Sequence, residues 1–151
     1  MDQQILIQQL EELCREESWY VPLLSNVSAL LFETMEQLNW AGFYLVRDGR
    51  LVLGPFQGKA ACIHIPFGKG VCGTAAANNK SIRVEDVHAF PGHIACDGAS
   101  RSELVIPIHA KDGKVIGVLD LDSPARGRFQ AEDQEILEAL IQRLEELPVI
   151  W

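Results

Sequence analysis

The segment WAGFYLVRDGRLVLGP, residues 40–55, decides the fold, because it reads as two strands joined by a tight turn. Residues 40–47 are rich in aromatic and aliphatic side chains, which favour a strand. Asp48-Gly49 is a strong signal for a two-residue hairpin turn. Residues 51–55 supply the returning strand, so we expect an antiparallel hairpin at the centre of the chain.

A second hairpin is predicted further along the chain. Residues 102–109 form an apolar strand, Lys111-Asp112-Gly113 is the turn, and residues 114–122 form the partner strand. Two shorter strands are predicted at residues 61–65 and 81–84. The sequence therefore indicates a sheet built mainly from hairpins.

Helices precede, interrupt and follow these strands. Apolar residues recur at helical spacing over residues 2–16, 22–38 and 130–146, and small residues over 71–78 favour a short helix. Helices outside a run of antiparallel strands indicate an α+β fold, with the helices packed on one side of a central sheet. We find no repeat or linker, so residues 1–151 are expected to form one domain.

Composition excludes several classes of function. The formal charge of -8 argues against a nucleic-acid partner and against anionic membranes, which both require a basic face. The longest apolar runs are far shorter than the roughly 20 residues that span a bilayer. The first residues lack the basic region and cleavage site of a signal peptide, so a cytoplasmic location is expected.

The segment between residues 85 and 101 has no usable periodicity, and a long irregular loop in a small domain is usually functional. Its end, GHIACDGASRSE at residues 92–103, places Cys96 among Gly, Ala, Ser and Asp. Such composition rarely builds a core element. We therefore expect this loop to present a thiol.

Two further cysteines, Cys62 and Cys72, lie in similar Gly-rich or small-residue surroundings. Cys14, in contrast, falls on the apolar face of the first helix and is expected to be buried in the core. A thiol beside backbone N–H groups can have a lowered pKa and can attack, and a second thiol can trap the resulting sulfenic acid. The three cysteines are therefore interpreted as a redox-active set, although a purely structural role for them stays open.

A metal site is the other alternative for these cysteines. His64, His88 and His93 could complete one, but the spacings contain no C-x-x-C pair and match no recognised ligand pattern. A dinucleotide site is rejected as well, because the G-x-G-x-x-G spacing at residues 68–73 lacks a surrounding βαβ unit.

Three carboxylates are predicted to meet near one sheet end. Asp120 and Asp122 alternate along a strand and share a face, and Glu103 begins the preceding strand of that hairpin. They are either polar strand ends or a pocket for an ammonium group, with one acid raised in pKa and able to deliver a proton. Trp40 and Tyr44 also share a face, either as core residues or as the wall of a pocket.

At this point the sequence resembles a known enzyme family. The resemblance rests on WAGFYLV from Trp40, LGPFQG from Leu53, IPFGKGVCGTA from Ile65, VEDVHAFPGHIACD from Val84, SELVIPI from Ser102 and GVLDLDSP from Gly117. These motifs look like those of the free methionine-(R)-sulfoxide reductases, which are GAF-domain enzymes. The resemblance implies a six-stranded antiparallel GAF sheet flanked by helices, commonly in a homodimer.

The resemblance also implies roles for individual residues. Cys96 corresponds to the attacking cysteine, Cys62 to the main resolving cysteine and Cys72 to a second resolving thiol. The remaining site residues match the substrate-binding and proton-handling positions of the family: Trp40, Tyr44, Ile94, Ala95, Glu103, Asp120 and Asp122. The family reduces free L-methionine-(R)-sulfoxide, forms an intramolecular disulfide and is recycled by thioredoxin, without a metal or organic cofactor.

Two other functions are compatible with this resemblance. GAF domains often bind cyclic nucleotides or other small ligands without catalysis, and a redox sensor could use the disulfide as its signal. Three loop cysteines serve no purpose in simple binding. Either kind of sensor would consume no reductant when given free methionine sulfoxide.

Overall fold

The computed structural model describes residues 1–94, 96 and 98–151. Its helices are α1 (Gln3–Glu16), α2 (Tyr20–Thr34), α3 (Gly70–Asn78) and α4 (Ala131–Glu146), with a short 3-10 turn at Val87–Ala89. The strands are β1 (Trp40–Arg47), β2 (Arg50–Gly58), β3 (His64–Ile65), β4 (Ile82–Val84), β5 (Ser102–His109) and β6 (Val115–Ser123). Every predicted helix and strand is present.

The six strands form one antiparallel sheet in the order β3-β2-β1-β6-β5-β4. The β1–β2 turn has positive φ at both Asp48 (54°) and Gly49 (77°), which a primed two-residue hairpin requires. The first and second hairpins meet through β1 and β6, so Trp40 pairs with Asp122 and Gly42 with Asp120. The predicted α+β fold with a six-stranded antiparallel sheet is confirmed.

Alternation along the strands gives the sheet two buried faces. On one face, Phe43, Leu104 and Leu121 pack against α1, α2 and α4 in a continuous hydrophobic core. On the other face, residues such as Val105 and Val118 pack with α3. The helices were expected on one side only. Three of them are, but α3 covers the opposite face, and its nearly all-buried small residues allow it to approach the sheet closely.

The second helix ends earlier than the sequence suggests, at Thr34 rather than at residue 38. Met35 is buried, and Gln37 has a positive φ of 60°, so the chain reverses direction there. The backbone N–H of Asn39 then donates to the Asp122 carbonyl at 3.0 Å. Pairing with β6 at the entry to β1 therefore outweighs the helical preference of residues 35–38.

Within the described part of the chain, no helix is both long enough and apolar enough to cross a membrane.

Candidate active site

A pocket lies on the α3 face of the sheet, where β1, β5, β6, α3 and the loop before β5 meet. Its cavity volume is about 50 Å³. The candidate residues that line it are Trp40, Tyr44, Cys72, Ile94, Cys96, Glu103, Asp120 and Asp122. The fold therefore gathers side chains from segments that are far apart in sequence. Ala95, which the sequence also places in the site, lies outside the described residues.

Cys62 and Cys96 form a disulfide, with 5.5 Å between their Cα atoms and 34 residues between them in sequence. That Cα separation is ordinary for a disulfide. Cys96 lines the pocket. Cys62 belongs to the segment just before β3, where it is partly buried against the hydrophobic cluster on the α3 face of the sheet. The pairing joins the irregular loop to the β2–β3 connection across the pocket.

The other two cysteines are free and buried. Cys14 lies in the core between the helices and the sheet, as the sequence predicts. Cys72, on α3, instead faces the carboxylates, and its Sγ donates to Glu103 Oε2 at 3.8 Å. Burial, together with the negative charges of Asp120 and Glu103, raises the pKa of the Cys72 thiol well above its ordinary value. Cys72 is therefore held as a protonated thiol in this state.

The three carboxylates meet because of the β5–β6 register. Glu103 is directly opposite Asp122 across the strands, and Asp120 lies two residues earlier on the same face of β6. Glu103 is 7% exposed and Asp120 is 5% exposed. Glu103 and Asp120 are therefore buried rather than exposed strand ends, whereas Asp122 is half-buried.

Burial and mutual repulsion decide which acid is protonated. Burial, followed by the charges of Asp120 and Asp122, raises the pKa of Glu103 well above its ordinary value. Burial also raises the pKa of Asp120, but a hydrogen bond from Glu103 and the nearby Cys72 thiol oppose that rise. Glu103 therefore holds a proton and Asp120 is the acceptor. Within the described residues, Asp120 Oδ1 is buried without a hydrogen-bond partner.

The two aromatic residues form a stacked wall. The Trp40 and Tyr44 rings are 5.8 Å apart between centroids with an interplanar angle of 24°, and Phe56 also stacks on Trp40, at 5.1 Å. Both polar groups are satisfied: Trp40 Nε1 donates to the Lys59 carbonyl at 3.1 Å, and the Tyr44 hydroxyl donates to the Cys62 carbonyl at 2.8 Å. The wall thus also fixes the backbone that carries Cys62.

Gly70, one of the glycines within residues 68–73, has a structural explanation that the sequence does not reveal. Gly70 has a φ of 62°, and its N–H donates to the Gly92 carbonyl at 3.2 Å. A Cβ at Gly70 would lie 3.3 Å from the Ile94 side chain. A glycine at the start of α3 therefore allows the Cys96 loop to approach the helix closely.

Comparison with known proteins identifies the family. Residues 23–145 match the model of the GAF domain. A free methionine-R-sulfoxide reductase of Escherichia coli (strain K12) is 56% identical over 131 residues, which cover 87% of this chain and 79% of that protein. The chain belongs to the GAF-domain family of free methionine-R-sulfoxide reductases.

Solved structures from this reductase family have the same fold. The reduced form of fRMsr of Staphylococcus aureus is 49% identical, with a TM-score of 0.91 over 97% of this chain and 94% of that chain. A free methionine-R-sulfoxide reductase from Neisseria meningitidis, solved in complex with its substrate, is 44% identical, with a TM-score of 0.90 over 95% and 86% of the two chains. The protein is accordingly an oxidoreductase with a GAF fold.

In this member of the reductase family, the pocket contains residues that the sequence did not single out for it. Lys69, immediately before α3, supplies a positive charge, and His93 lies three residues before Cys96 in the same loop. Burial, and then the neighbouring His88, lowers the pKa of His93. Neither residue falls in a recognisable spacing pattern, so only the folded arrangement reveals them.

Proposed function

We propose that this protein reduces free L-methionine-(R)-sulfoxide to L-methionine, with Cys96 as the attacking thiol. The observation that carries the proposal is the Cys62–Cys96 disulfide on a pocket that also holds three carboxylates. A disulfide beside a protonated buried acid is what remains after a thiol has reduced a substrate there. The names of the similar proteins support the same substrate.

The pocket is chemically matched to a free amino acid. The substrate ammonium group pairs with Asp120 and Asp122, and Asp120 Oδ1 gains the partner that it lacks among the described residues. The S-methyl end packs on the wall of Trp40 and Tyr44. Backbone N–H groups around Ile94 and Ala95 bind the carboxylate. A residue within a polypeptide has no free ammonium or carboxylate group, so it is not recognised.

The first chemical step transfers the sulfoxide oxygen to Cys96. The Cys96 thiolate attacks the sulfoxide sulfur, and Glu103 or Asp122, as the acid, donates a proton to the oxygen. The S–O bond of the substrate breaks as the oxygen forms a new S–O bond to Cys96. Methionine leaves, having gained two electrons, and Cys96 remains as a sulfenic acid, having lost two. Glu103 is better suited than Asp122 to donate, because burial beside two other carboxylates keeps it protonated.

Resolution and recycling follow from the thiols nearby. The Cys62 thiol condenses with the Cys96 sulfenic acid, forming the S–S bond and releasing water. Cys72 is a second thiol able to resolve. The dithiol of thioredoxin then attacks the disulfide through a mixed disulfide, returning both cysteines to thiols and becoming oxidised itself. No metal or organic cofactor takes part in this scheme.

The proposal extends to the organisation of the protein. All 151 residues form one GAF domain, which is supported by the packing of α1 into the same core as α4. The resemblance to the family supports a homodimer, which sedimentation analysis can test. A cytoplasmic location is consistent with an enzyme whose disulfide must be reduced in every cycle.

The decisive test supplies free methionine sulfoxide, thioredoxin and the thioredoxin-recycling system, and follows consumption of reductant. We expect the R epimer to be reduced much faster than the S epimer, and a methionine sulfoxide within a peptide to be a poor substrate. Equal rates for the two epimers would refute the proposed specificity. Absence of turnover with either epimer would favour a sensor.

Cys62→Ser should leave the first turnover intact but prevent efficient recycling. The variant keeps the attacking thiol, so one equivalent of methionine is released at close to the wild-type rate. The steady-state rate with thioredoxin should fall by about tenfold or more, because resolution then depends on the more deeply buried Cys72. Rapid-quench measurement of methionine separates these phases. Loss of the first turnover as well would show that the roles of Cys62 and Cys96 are wrongly assigned.

A further inference from the structure

We propose that Cys72, Glu103 and Asp120 form a binding site for a thiophilic divalent cation such as Zn²⁺, Cd²⁺ or Co²⁺. One ligand atom from each residue lies within 4.8 Å of the other two. All three residues are buried, and they project from α3, β5 and β6. The donors therefore belong to regular elements that hold them in place before any ion arrives.

The separation of the Cys72 and Glu103 donors is close to that in a tetrahedral metal site. With bonds of about 2.3 Å to sulfur and about 2.0–2.2 Å to oxygen, neighbouring ligand atoms lie roughly 3.3–3.6 Å apart. Cys72 Sγ and Glu103 Oε2 are separated by 3.8 Å. Small side-chain rotations bring the three donors onto one ion, and a water molecule can occupy the fourth position.

The unpartnered Asp120 oxygen independently indicates a ligand. Oδ1 is buried and has no hydrogen-bond partner within the described residues. A carboxylate oxygen left in this way is costly, so a cation at this position is stabilised. The ammonium group of the proposed substrate offers one such cation, and a metal ion offers another. The ammonium group and the metal ion should therefore compete for this position. Only that competition rests on the proposed function; the metal site itself does not.

The donor chemistry selects among metal ions. One thiolate with two carboxylates favours Zn²⁺, Cd²⁺ or Co²⁺, whereas Mg²⁺ and Ca²⁺ prefer sites made only of oxygen donors. Binding requires the Cys72 thiol and the protonated Glu103 carboxyl each to release a proton to solvent as the metal–sulfur and metal–oxygen bonds form. The sequence could not reveal this site, because its donors come from three separate segments without C-x-x-C spacing.

Titration with Co²⁺ tests the site without any turnover. The protein is used with the Cys62–Cys96 disulfide intact, so that Cys14 and Cys72 are the remaining thiols. We expect one Co²⁺ per chain, with a thiolate-to-cobalt charge-transfer band and the visible spectrum of a tetrahedral ion. Cys72→Ser should remove the charge-transfer band, and the matched variant Cys14→Ser should retain it. A wild-type protein without the band, or a band that persists in Cys72→Ser, overturns the proposal.

Asp120→Asn is a second variant, for use if Cys72→Ser does not fold. It keeps the thiol but weakens one ligand, so the affinity for Co²⁺ should fall by about tenfold or more. Unchanged affinity in a folded Asp120→Asn variant overturns the proposal. Addition of free methionine sulfoxide should displace Co²⁺. If the cobalt spectrum depends on Cys72 but survives saturating sulfoxide, the metal site stands and the proposed placement of the substrate fails.

Discussion

Cys96→Ser should abolish the release of methionine from free methionine-(R)-sulfoxide, even in a single turnover. The serine hydroxyl is not ionised near neutral pH and cannot replace a thiolate as the attacking group. We expect the first-turnover rate to fall by at least about 10³-fold, as for other essential nucleophiles. Mixing the fully reduced variant with substrate and quantifying methionine over time measures this loss directly.

Matched variants of the other cysteines separate attack from other causes of lost activity. Cys14→Ser changes a buried thiol in the helix-side core, away from the pocket, and should retain the first turnover. Cys72→Ser should retain it as well if Cys72 acts only in resolution. Methionine release by Cys96→Ser at a rate within tenfold of the wild type contradicts the assignment of Cys96 as nucleophile.

The sheet was predictable because its information is local. The Asp48-Gly49 and Lys111-Asp112-Gly113 turns fix two hairpins, and two-residue alternation fixes which side chains share a face. The side of the sheet that a helix covers is not determined by such local signals. The α3 sequence, GVCGTAAAN, has small apolar residues on most sides, so no polar stripe indicates which face it packs against.

The site was predictable only in pieces. Alternation places Asp120 and Asp122 on one face, and the register of the second hairpin brings Glu103 opposite them. The proximity of Cys62 and Cys96 depends instead on how the β2–β3 connection and the loop before β5 meet in the fold, and no spacing rule relates residues 34 apart. Resemblance to the family supplied that pairing. Lys69 and His93 lie within motifs that carry the resemblance, but neither a spacing signal nor the resemblance gave them a role in the pocket.

Glu103→Gln should lower the first-turnover rate by about 10²–10⁴-fold and remove one limb of its pH dependence. In the wild type, the rate falls as pH increases through the pKa of Glu103, because the acid can no longer donate. Since burial raises that pKa well above its ordinary value, the falling limb lies far above the usual range of a glutamic acid. The variant should lack this falling limb.

Stability measurements test the same raised pKa independently. The folded state retains the Glu103 proton at pH values where the unfolded chain has released it. The contribution of Glu103 to stability is therefore largest below the unfolded pKa and decreases as pH rises through the folded pKa. Glutamine has no proton to lose, so thermal unfolding of Glu103→Gln should depend less on pH than that of the wild type across this range. An equal pH dependence would contradict a raised pKa.

Asp122→Asn is the matched control for proton donation. It removes a carboxylate opposite Glu103 on the neighbouring strand but leaves the protonated acid in place. With Glu103 as donor, this variant loses affinity for the ammonium group, which raises KM. It retains the falling limb of the pH profile, moved to lower pH because the charge of Asp122 no longer raises the pKa of Glu103. If Asp122→Asn removes that limb while Glu103→Gln preserves it, Asp122 donates the proton, and Glu103 serves only to bind the substrate.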